Sequence, residues 1–169
     1  MTPILTLDVF EFVSGSPAQT ARIGERLGKL IRAGDVICLE GALGSGKTCL
    51  AQGVGRGWGT LEPLTSPTFT LIHELTRPDD DAVLYHIDLY RVETENEALL
   101  LGLSDVFDGR AACIVEWPER AKGLLPQMCL LVELKWLDET RRRLTFSASG
   151  ERHLRLLSEL KRSAFGVGE

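Results

Sequence analysis

The sequence lacks any long apolar run, which excludes the most direct way of entering a membrane. No stretch approaches the roughly 18 to 20 consecutive apolar residues that a spanning helix requires. The N-terminus has neither a basic segment nor a small-residue cleavage site. Repeats, linkers and low-complexity segments are absent as well. We therefore expect a cytoplasmic protein without a membrane segment, in which residues 1–169 form a single domain.

Cysteine is scarce and has no metal-binding pattern. The four cysteines, Cys38, Cys49, Cys113 and Cys129, include no C-x-x-C pair, and three of them lie in or beside apolar runs. Thiols of cytosolic proteins are usually kept reduced. We expect buried free thiols rather than disulfides or zinc ligands.

Positive charge is also in short supply, with 19 Lys and Arg against 24 Asp and Glu and a formal net charge of -5. Proteins that hold nucleic acid usually do so with a basic face that neutralises phosphates. The composition argues against such a face here. Any connection with RNA is therefore expected to be indirect, through a protein partner.

Apolar periodicity predicts helices that alternate with strands, which is typical of a three-layer α/β domain of mixed strand direction. Residues 16–19 have the pattern of a capping box with proline at the first helical position. The predicted helices are residues 16 to about 34, KTCLAQGVGRGW, residues 93–101, and a C-terminal amphipathic helix with Leu154, Leu157 and Leu160. The predicted strands are residues 36–39, TFTLIHEL and AVLYHIDLY joined by a hairpin-like turn, residues 111–115, and the antiparallel pair CLLVELKWL and RRRLTFSAS.

The octapeptide GALGSGKT, residues 41–48, follows the first predicted buried strand and opens a helix. Its spacing matches the P-loop, in which glycines let successive backbone N–H groups turn toward a β-phosphate. Lys47 is expected to reach the β and γ oxygens, and the Thr48 hydroxyl to ligate Mg²⁺. The expected fold is a P-loop NTPase three-layer sandwich with a mixed, mainly parallel central sheet plus antiparallel strands. The residues expected to contact the nucleotide in this loop are Gly41, Ala42, Leu43, Gly44, Ser45, Gly46, Lys47, Thr48 and Cys49.

Two acids follow apolar strand-like runs and are candidates for the chemistry. Asp88 ends the run AVLYHID, and Glu116 ends AACIVE. Ligands of open α/β sheets gather at the carboxyl ends of the strands. One acid would bind the metal, directly or through water, while the other would polarise the attacking water. With Lys47 they form the expected catalytic set, and with Thr48 the expected metal ligands.

The expected base is adenine, because the chain contains neither D-x-x-G nor N-K-x-D, the usual signatures of GTP-binding proteins. The segment LTSPTFTL lies where P-loop proteins often place a loop that senses the γ-phosphate. Ser66, Thr68 and Thr70 could donate or ligate there, with Thr68 the preferred contact. The alternative is that the sequence around Pro67 is only a rigid turn.

Several segments together resemble one family. These are GALGSGKT, TSPTFTLIHEL, YHIDLYRV, LGLSDVF and CIVEWPERA followed by LLP. In this combination they resemble TsaE, the bacterial ATPase family of tRNA threonylcarbamoyladenosine biosynthesis. The resemblance covers nearly the whole chain, and H-x-D-L-Y-R with V-E-W-P after the glycine loop is its specific part.

This resemblance implies more than the spacing does. Members bind ATP and Mg²⁺, hydrolyse ATP weakly alone, and join the TsaB and TsaD subunits that place threonylcarbamoyl on adenosine 37 of tRNAs reading ANN codons. The resemblance implies that hydrolysis resets that complex between cycles. The matching motifs assign Lys47 and Thr48 to phosphate and metal, Glu116 to the metal, and Asp88 to the region of the γ-phosphate. Trp117 is implied to lie beside the nucleotide, although simple packing against Pro118 is the alternative. A monomer is expected when the protein is isolated.

Two departures from the family pattern GDLGAGKTT bear on function. Ala42 replaces an acid, and Cys49 replaces the second threonine, which could weaken nucleotide affinity several-fold at about 0.5 to 1.5 kcal/mol per neutral hydrogen bond. Two other functions stay open at this point. One is a small-molecule or nucleoside kinase, although its candidate lid segments hold a single arginine each; the other is a nucleotide-dependent scaffold that does not require hydrolysis.

Overall fold

A computed structural model describes residues 9–65 and 71–166. The strands in these ranges are β1 (Val9–Ser14), β2 (Val36–Glu40), β3 (Ile72–Thr76), β4 (Val83–Asp88), β5 (Ala112–Glu116), β6 (Leu130–Trp136) and β7 (Arg142–Ala148). The α-helices are α1 (Pro17–Leu30), α2 (Lys47–Trp58), α3 (Glu95–Leu100) and α4 (Glu151–Phe165). Two 3₁₀ segments, Leu103–Phe107 and Pro118–Leu124, flank β5.

The described strands form one 7-stranded sheet in the order β1-β7-β6-β2-β5-β4-β3. The four central strands β6, β2, β5 and β4 run parallel, while β7 and β1 on one side and β3 on the other are antiparallel to their neighbours. Helices α1, α2 and α4 share a core with one face of this sheet. Helix α3 and the two 3₁₀ segments cover the other. The predicted three-layer α/β fold with a mixed, centrally parallel sheet is confirmed.

The first four residues of β2 are apolar and buried because the strand is covered on both faces. Ile37 and Leu39 face the α1, α2 and α4 side, whereas Val36 and Cys38 face the α3 side. Because β2 lies between β6 and β5, its carboxyl end is at the middle of the edge where the parallel strands end. The residues that follow β2, β4 and β5 are therefore brought to the same edge.

Helices α1 and α2 pack backbone against backbone through glycines. A Cβ atom on Gly53 would lie 2.2 Å from Ala21 O, and one on Gly28 would lie 2.1 Å from Val54 O. A Cβ on Gly57 would lie 2.0 Å from Glu25 O. No side chain fits at these positions unless the helices move apart. This close packing keeps the start of α2, where the glycine loop ends, firmly against the rest of the domain.

We expect Gly53→Ala to lower the free energy of unfolding by about 1 to 3 kcal/mol, because overpacking against a backbone carbonyl outweighs the gain in helix propensity. Gly55→Ala is the matched control on the same helix, since its Cβ would lie 2.1 Å from Cδ1 of the Leu64 side chain rather than from a backbone carbonyl. Urea unfolding measures both changes. A loss in Gly55→Ala as large as that in Gly53→Ala would contradict the proposed backbone contact.

The ends of the first helix differ partly from the prediction. Ser16 caps α1 as expected, accepting from Gln19 N at 3.2 Å, but Gln19 Oε1 accepts from Gly15 N at 2.7 Å, one residue before the predicted partner. The helix ends at Leu30 rather than near Gly34, because Ile31 takes extended backbone angles of φ -69° and ψ 151°. The prediction was therefore about four residues too long.

Strand β1 was not predicted. The alternation of Phe10 and Phe12 with outward-facing residues was the available signal, and among the described strands β1 pairs with β7. All four cysteines are free, with Cys38 and Cys113 buried and Cys49 and Cys129 partly exposed.

Within the described residues, no helix is both long enough and apolar enough to cross a membrane.

Candidate functional site

The glycine loop between β2 and α2 uses backbone angles that favour glycine. Gly41, Gly44 and Gly46 have φ of 156°, 78° and 105°. A Cβ on Gly41 would also lie 2.5 Å from Leu134 O and 2.6 Å from Ser45 Oγ. The turn therefore requires glycine for conformation and for space, and the three glycines of the predicted motif adopt the turn that it needs.

Helix α2 begins directly after this loop, with Gly46 as its N-cap. Its first intrahelical bond runs from Leu50 N to Gly46 O at 3.0 Å. The N–H groups of the first turn consequently have no acceptor within the helix, and the helix dipole places partial positive charge at the same end. This arrangement favours an anion at the loop.

The Lys47 side chain curls back over the loop. Its ammonium donates to Gly41 O, to Ala42 O at 2.9 Å and to Ser45 Oγ at 3.5 Å. Burial lowers the pKa of Lys47, and the negative charge of Glu116 opposes that shift. Only 5% of the residue is exposed, so a cation is held at the centre of the loop, surrounded by oxygen acceptors.

The two predicted acids end neighbouring parallel strands at the same level. Asp88 of β4 is the register partner of Glu116 of β5. Burial raises the pKa of Asp88, while a hydrogen bond from Tyr90 N to its Oδ1 at 3.0 Å acts in the opposite direction. The sequence-based expectation that strand ends bring these carboxyl groups together agrees with this geometry.

Glu116 also has a partner that the sequence did not indicate directly. Its Oε2 lies 2.6 Å from Nε2 of His86, and His86 is fully buried. No sequence pattern marked His86 for a role in the site. The available signal was its spacing of two from Asp88, which places both side chains on the same face of β4.

Trp117 closes the site from the side of β5. Its backbone has φ 59° and ψ 50°, and it is the one non-glycine residue with positive φ in the described part of the chain. The indole lies beside the Lys47 ammonium, 4.2 Å from Nζ to the ring centroid, and packs against Tyr90 with the ring centroids 5.0 Å apart. A left-handed conformation costs such a residue about 1 to 3 kcal/mol, so the surrounding contacts must stabilise it.

These elements enclose a cleft of about 440 Å³. Its walls are formed by Leu43, Gly44, Gly46, Lys47, Thr48, Cys49, Leu71, Asp88, Tyr90, Arg91, Glu116 and Trp117. Of the other predicted residues, Gly41 and Ala42 supply carbonyls to Lys47, and Ser45 is buried in the loop. Thr68, with Ser66 and Thr70, lies outside the described residues.

Sequence reasoning missed three of the wall residues, Leu71, Tyr90 and Arg91. Tyr90 and Arg91 follow β4 directly, so their position after Asp88 was the available signal.

Cys49, a departure from the family pattern, donates its thiol to Pro17 O at 3.2 Å. Burial raises the pKa of that thiol, which keeps it protonated.

The side chains of the cleft suit a metal ion that is bound partly by protein oxygens and partly by phosphate oxygens. In the described ranges, no group of three or more His, Cys, Asp and Glu side chains could hold a metal ion. Mg²⁺ in nucleotide sites usually takes one or two carboxylates together with phosphate oxygens and water. The Thr48 hydroxyl and two carboxyl groups along one cleft fit that pattern.

A glycine loop between a buried parallel strand and a helix, with a lysine inside it and acids at the adjacent strand ends, defines a P-loop nucleotide-binding protein. Comparison with known proteins agrees. The family described as "Threonylcarbamoyl adenosine biosynthesis protein TsaE" matches residues 14–144. This chain belongs to the TsaE family.

Individual relatives cover most of the chain. The tRNA threonylcarbamoyladenosine biosynthesis protein TsaE of Bacillus subtilis is 40% identical over 147 residues, which span 87% of this chain and 90% of that protein. The protein of the same name from Treponema pallidum is 38% identical over 133 residues, spanning 79% and 96%. The crystal structure of YdiB from Bacillus subtilis superposes with a TM-score of 0.75 at 34% identity, covering 92% of this chain and 95% of that one.

Proposed function

We propose that this protein is a Mg²⁺-dependent ATPase that serves as the accessory subunit of the complex making N6-threonylcarbamoyladenosine in tRNA. The observation that carries the proposal is the meeting of the Lys47 ammonium and the carboxyl groups of Asp88 and Glu116 along one cleft. A triphosphate needs cationic donors on one side and metal ligands on the other, and this cleft offers both.

Phosphate binding falls to the loop and to the start of α2. The N–H groups of the glycine loop and of the first helical turn donate to the phosphate oxygens. Lys47 exchanges its bonds to the carbonyls of Gly41 and Ala42 for bonds to the β- and γ-phosphates. The Trp117 ring lies against the Lys47 ammonium, which limits the positions that the lysine side chain can take.

The two acids divide the remaining work. Glu116, buried and hydrogen-bonded, would hold Mg²⁺ together with the Thr48 hydroxyl. When bound, Mg²⁺ supplies positive charge that neutralises the β- and γ-phosphate oxygens. Asp88 lies at the same level on the next strand, where its carboxylate can orient the water that attacks the γ-phosphate. A contribution of Asp88 to the metal, through water, is compatible with this role.

The place of this ATPase in the cell is proposed from its relatives. Their names assign them to threonylcarbamoyladenosine biosynthesis in tRNA. We propose that the chain joins TsaB and TsaD in the cytoplasm, as a monomer before assembly, and that hydrolysis resets the complex between cycles. Its net charge of -5 favours contact with tRNA through these subunits rather than directly.

The purified protein is expected to hydrolyse ATP well below the typical enzyme rate of about 10 s⁻¹, and TsaB with TsaD should raise that rate about tenfold or more. A coupled phosphate-release assay, with and without the two subunits, measures this. Fast turnover by the isolated protein would contradict the dependence on a complex.

Transfer of the γ-phosphate to a small-molecule acceptor would instead identify a kinase. Full tRNA modification in cells by a variant without hydrolysis would identify a scaffold.

A further inference from the structure

The hydrogen bond between His86 and Glu116 connects a residue outside the cleft wall to a carboxylate inside it. Nε2 and Oε2 are 2.6 Å apart, with the two side chains 0% and 3% exposed. We propose that His86 is a positioning residue, which holds the Glu116 carboxylate in the orientation that binds Mg²⁺. This inference rests on the proposed function.

The direction of the hydrogen bond identifies the histidine nitrogen that acts on Glu116. A carboxylate that binds Mg²⁺ only accepts hydrogen bonds, so in the proposed metal-bound state Nε2 of His86 carries the proton and donates. Nδ1 of His86, in contrast, is buried and has no hydrogen-bond partner among the described residues. An unsatisfied buried nitrogen is unfavourable, and an apolar side chain of similar size would fill the same space without it. The hydrogen bond through Nε2 is therefore the contact that distinguishes histidine from an apolar residue at this position.

The surrounding sheet makes His86 a rigid support. Strand β4 is paired on both sides, with His73 of β3 opposite His86 on one side and Ile114 of β5 on the other. The sheet fixes the backbone of Glu116 but not the rotatable bonds of its side chain. A bond to Oε2 restricts that rotation and leaves Oε1 as the oxygen that can bind a metal. Groups that orient metal ligands in this way typically contribute 10- to 100-fold in metal affinity or activity.

The test uses the different reach of two amide side chains. The amide nitrogen of glutamine lies about as far from the backbone as Nε2 of histidine, whereas that of asparagine lies near the position of Nδ1. We expect His86→Gln to keep the Mg²⁺-dependent gain in ATP affinity within about threefold of the wild type. His86→Asn and His86→Leu are expected to reduce that gain about tenfold. Calorimetry with ATP in EDTA and in excess Mg²⁺ measures the gain apart from turnover.

Two controls separate positioning from a general loss of structure. ATP affinity in EDTA should stay unchanged in all three variants, because the phosphate loop is not touched. Variants of His73, the partly exposed cross-strand neighbour, should behave as the wild type. In a Glu116→Ala background, the difference between His86→Gln and His86→Asn should disappear, since the carboxylate that they contact is gone.

The outcomes distinguish this inference from the function on which it rests. In one outcome, Glu116→Ala abolishes the Mg²⁺-dependent gain in ATP affinity, but the glutamine, asparagine and leucine variants of His86 all show equal gains. Positioning by His86 is then wrong, and the ATPase proposal stands. If the wild type shows no Mg²⁺-dependent gain, both are overturned. Asparagine is one methylene smaller than glutamine, so the Glu116→Ala background, in which both variants leave the same space, separates loss of the hydrogen bond from loss of volume.

Discussion

Lys47→Ala is expected to weaken ATP binding about 100-fold or more. The ammonium is the charged donor inside the loop, and a hydrogen bond to a charged group contributes about 1.5 to 3 kcal/mol. Several such bonds to a polyanion in a buried site exceed the 2.7 kcal/mol or so that corresponds to a hundredfold change. Isothermal titration calorimetry with ATP and Mg²⁺ measures the loss directly.

The control for Lys47→Ala is Lys29→Ala, which removes an exposed ammonium from the last turn of α1, at the end of the helix away from the glycine loop. Affinity should be unchanged there, so a general effect of net charge is excluded. Because Lys47 also donates to Gly41 O and Ala42 O, circular dichroism should confirm that the alanine variant stays folded. An unchanged ATP affinity in a folded Lys47→Ala protein would show that the site is assigned wrongly.

Glu116→Gln and Asp88→Asn are expected to lower Mg²⁺-dependent hydrolysis about 100-fold or more while leaving the fold intact. Each amide keeps the shape of the carboxyl group and removes its negative charge. A positioned acid or base contributes about 10² to 10⁴ in rate, and loss of a metal ligand acts in the same direction. Single-turnover phosphate release in the assembled complex is the most sensitive measurement.

The matched control for these two variants is Glu119→Gln. Glu119 is exposed and close enough to act on the pKa of Lys47, but it does not line the cleft. Its removal tests the effect of one nearby negative charge without a direct role. Near-normal hydrolysis in either Glu116→Gln or Asp88→Asn would refute the role assigned to that acid. A large loss in Glu119→Gln would mean that the cleft responds to charge in general.

Much of the fold was predictable because local chemistry and global architecture agree along the central strands. Strand β2 is a short apolar run between turn residues, and α2 begins where the glycine spacing places it. The meeting of Asp88 and Glu116 followed from a general rule for strand ends. By contrast, β1 is an edge strand whose pairing with β7 depends on contacts more than a hundred residues apart, and no local pattern reports such pairing.

The unpredicted parts of the site depend on register and on strain. The contact of His86 with Glu116 joins residues that are separated by 30 positions, and it exists only because β4 and β5 are neighbours with a particular register. The left-handed backbone of Trp117 is disfavoured for any residue with a side chain of that size. Neither feature is encoded in composition or periodicity, so both required the three-dimensional structure.

A crystal structure of the protein with Mg²⁺ and a non-hydrolysable ATP analogue would test the central proposal most directly. We predict that the β- and γ-phosphates lie against Lys47 and the start of α2, with the metal between Thr48 and Glu116. A nucleotide bound away from the glycine loop, or a metal that contacts neither Thr48 nor either acid, would contradict the account.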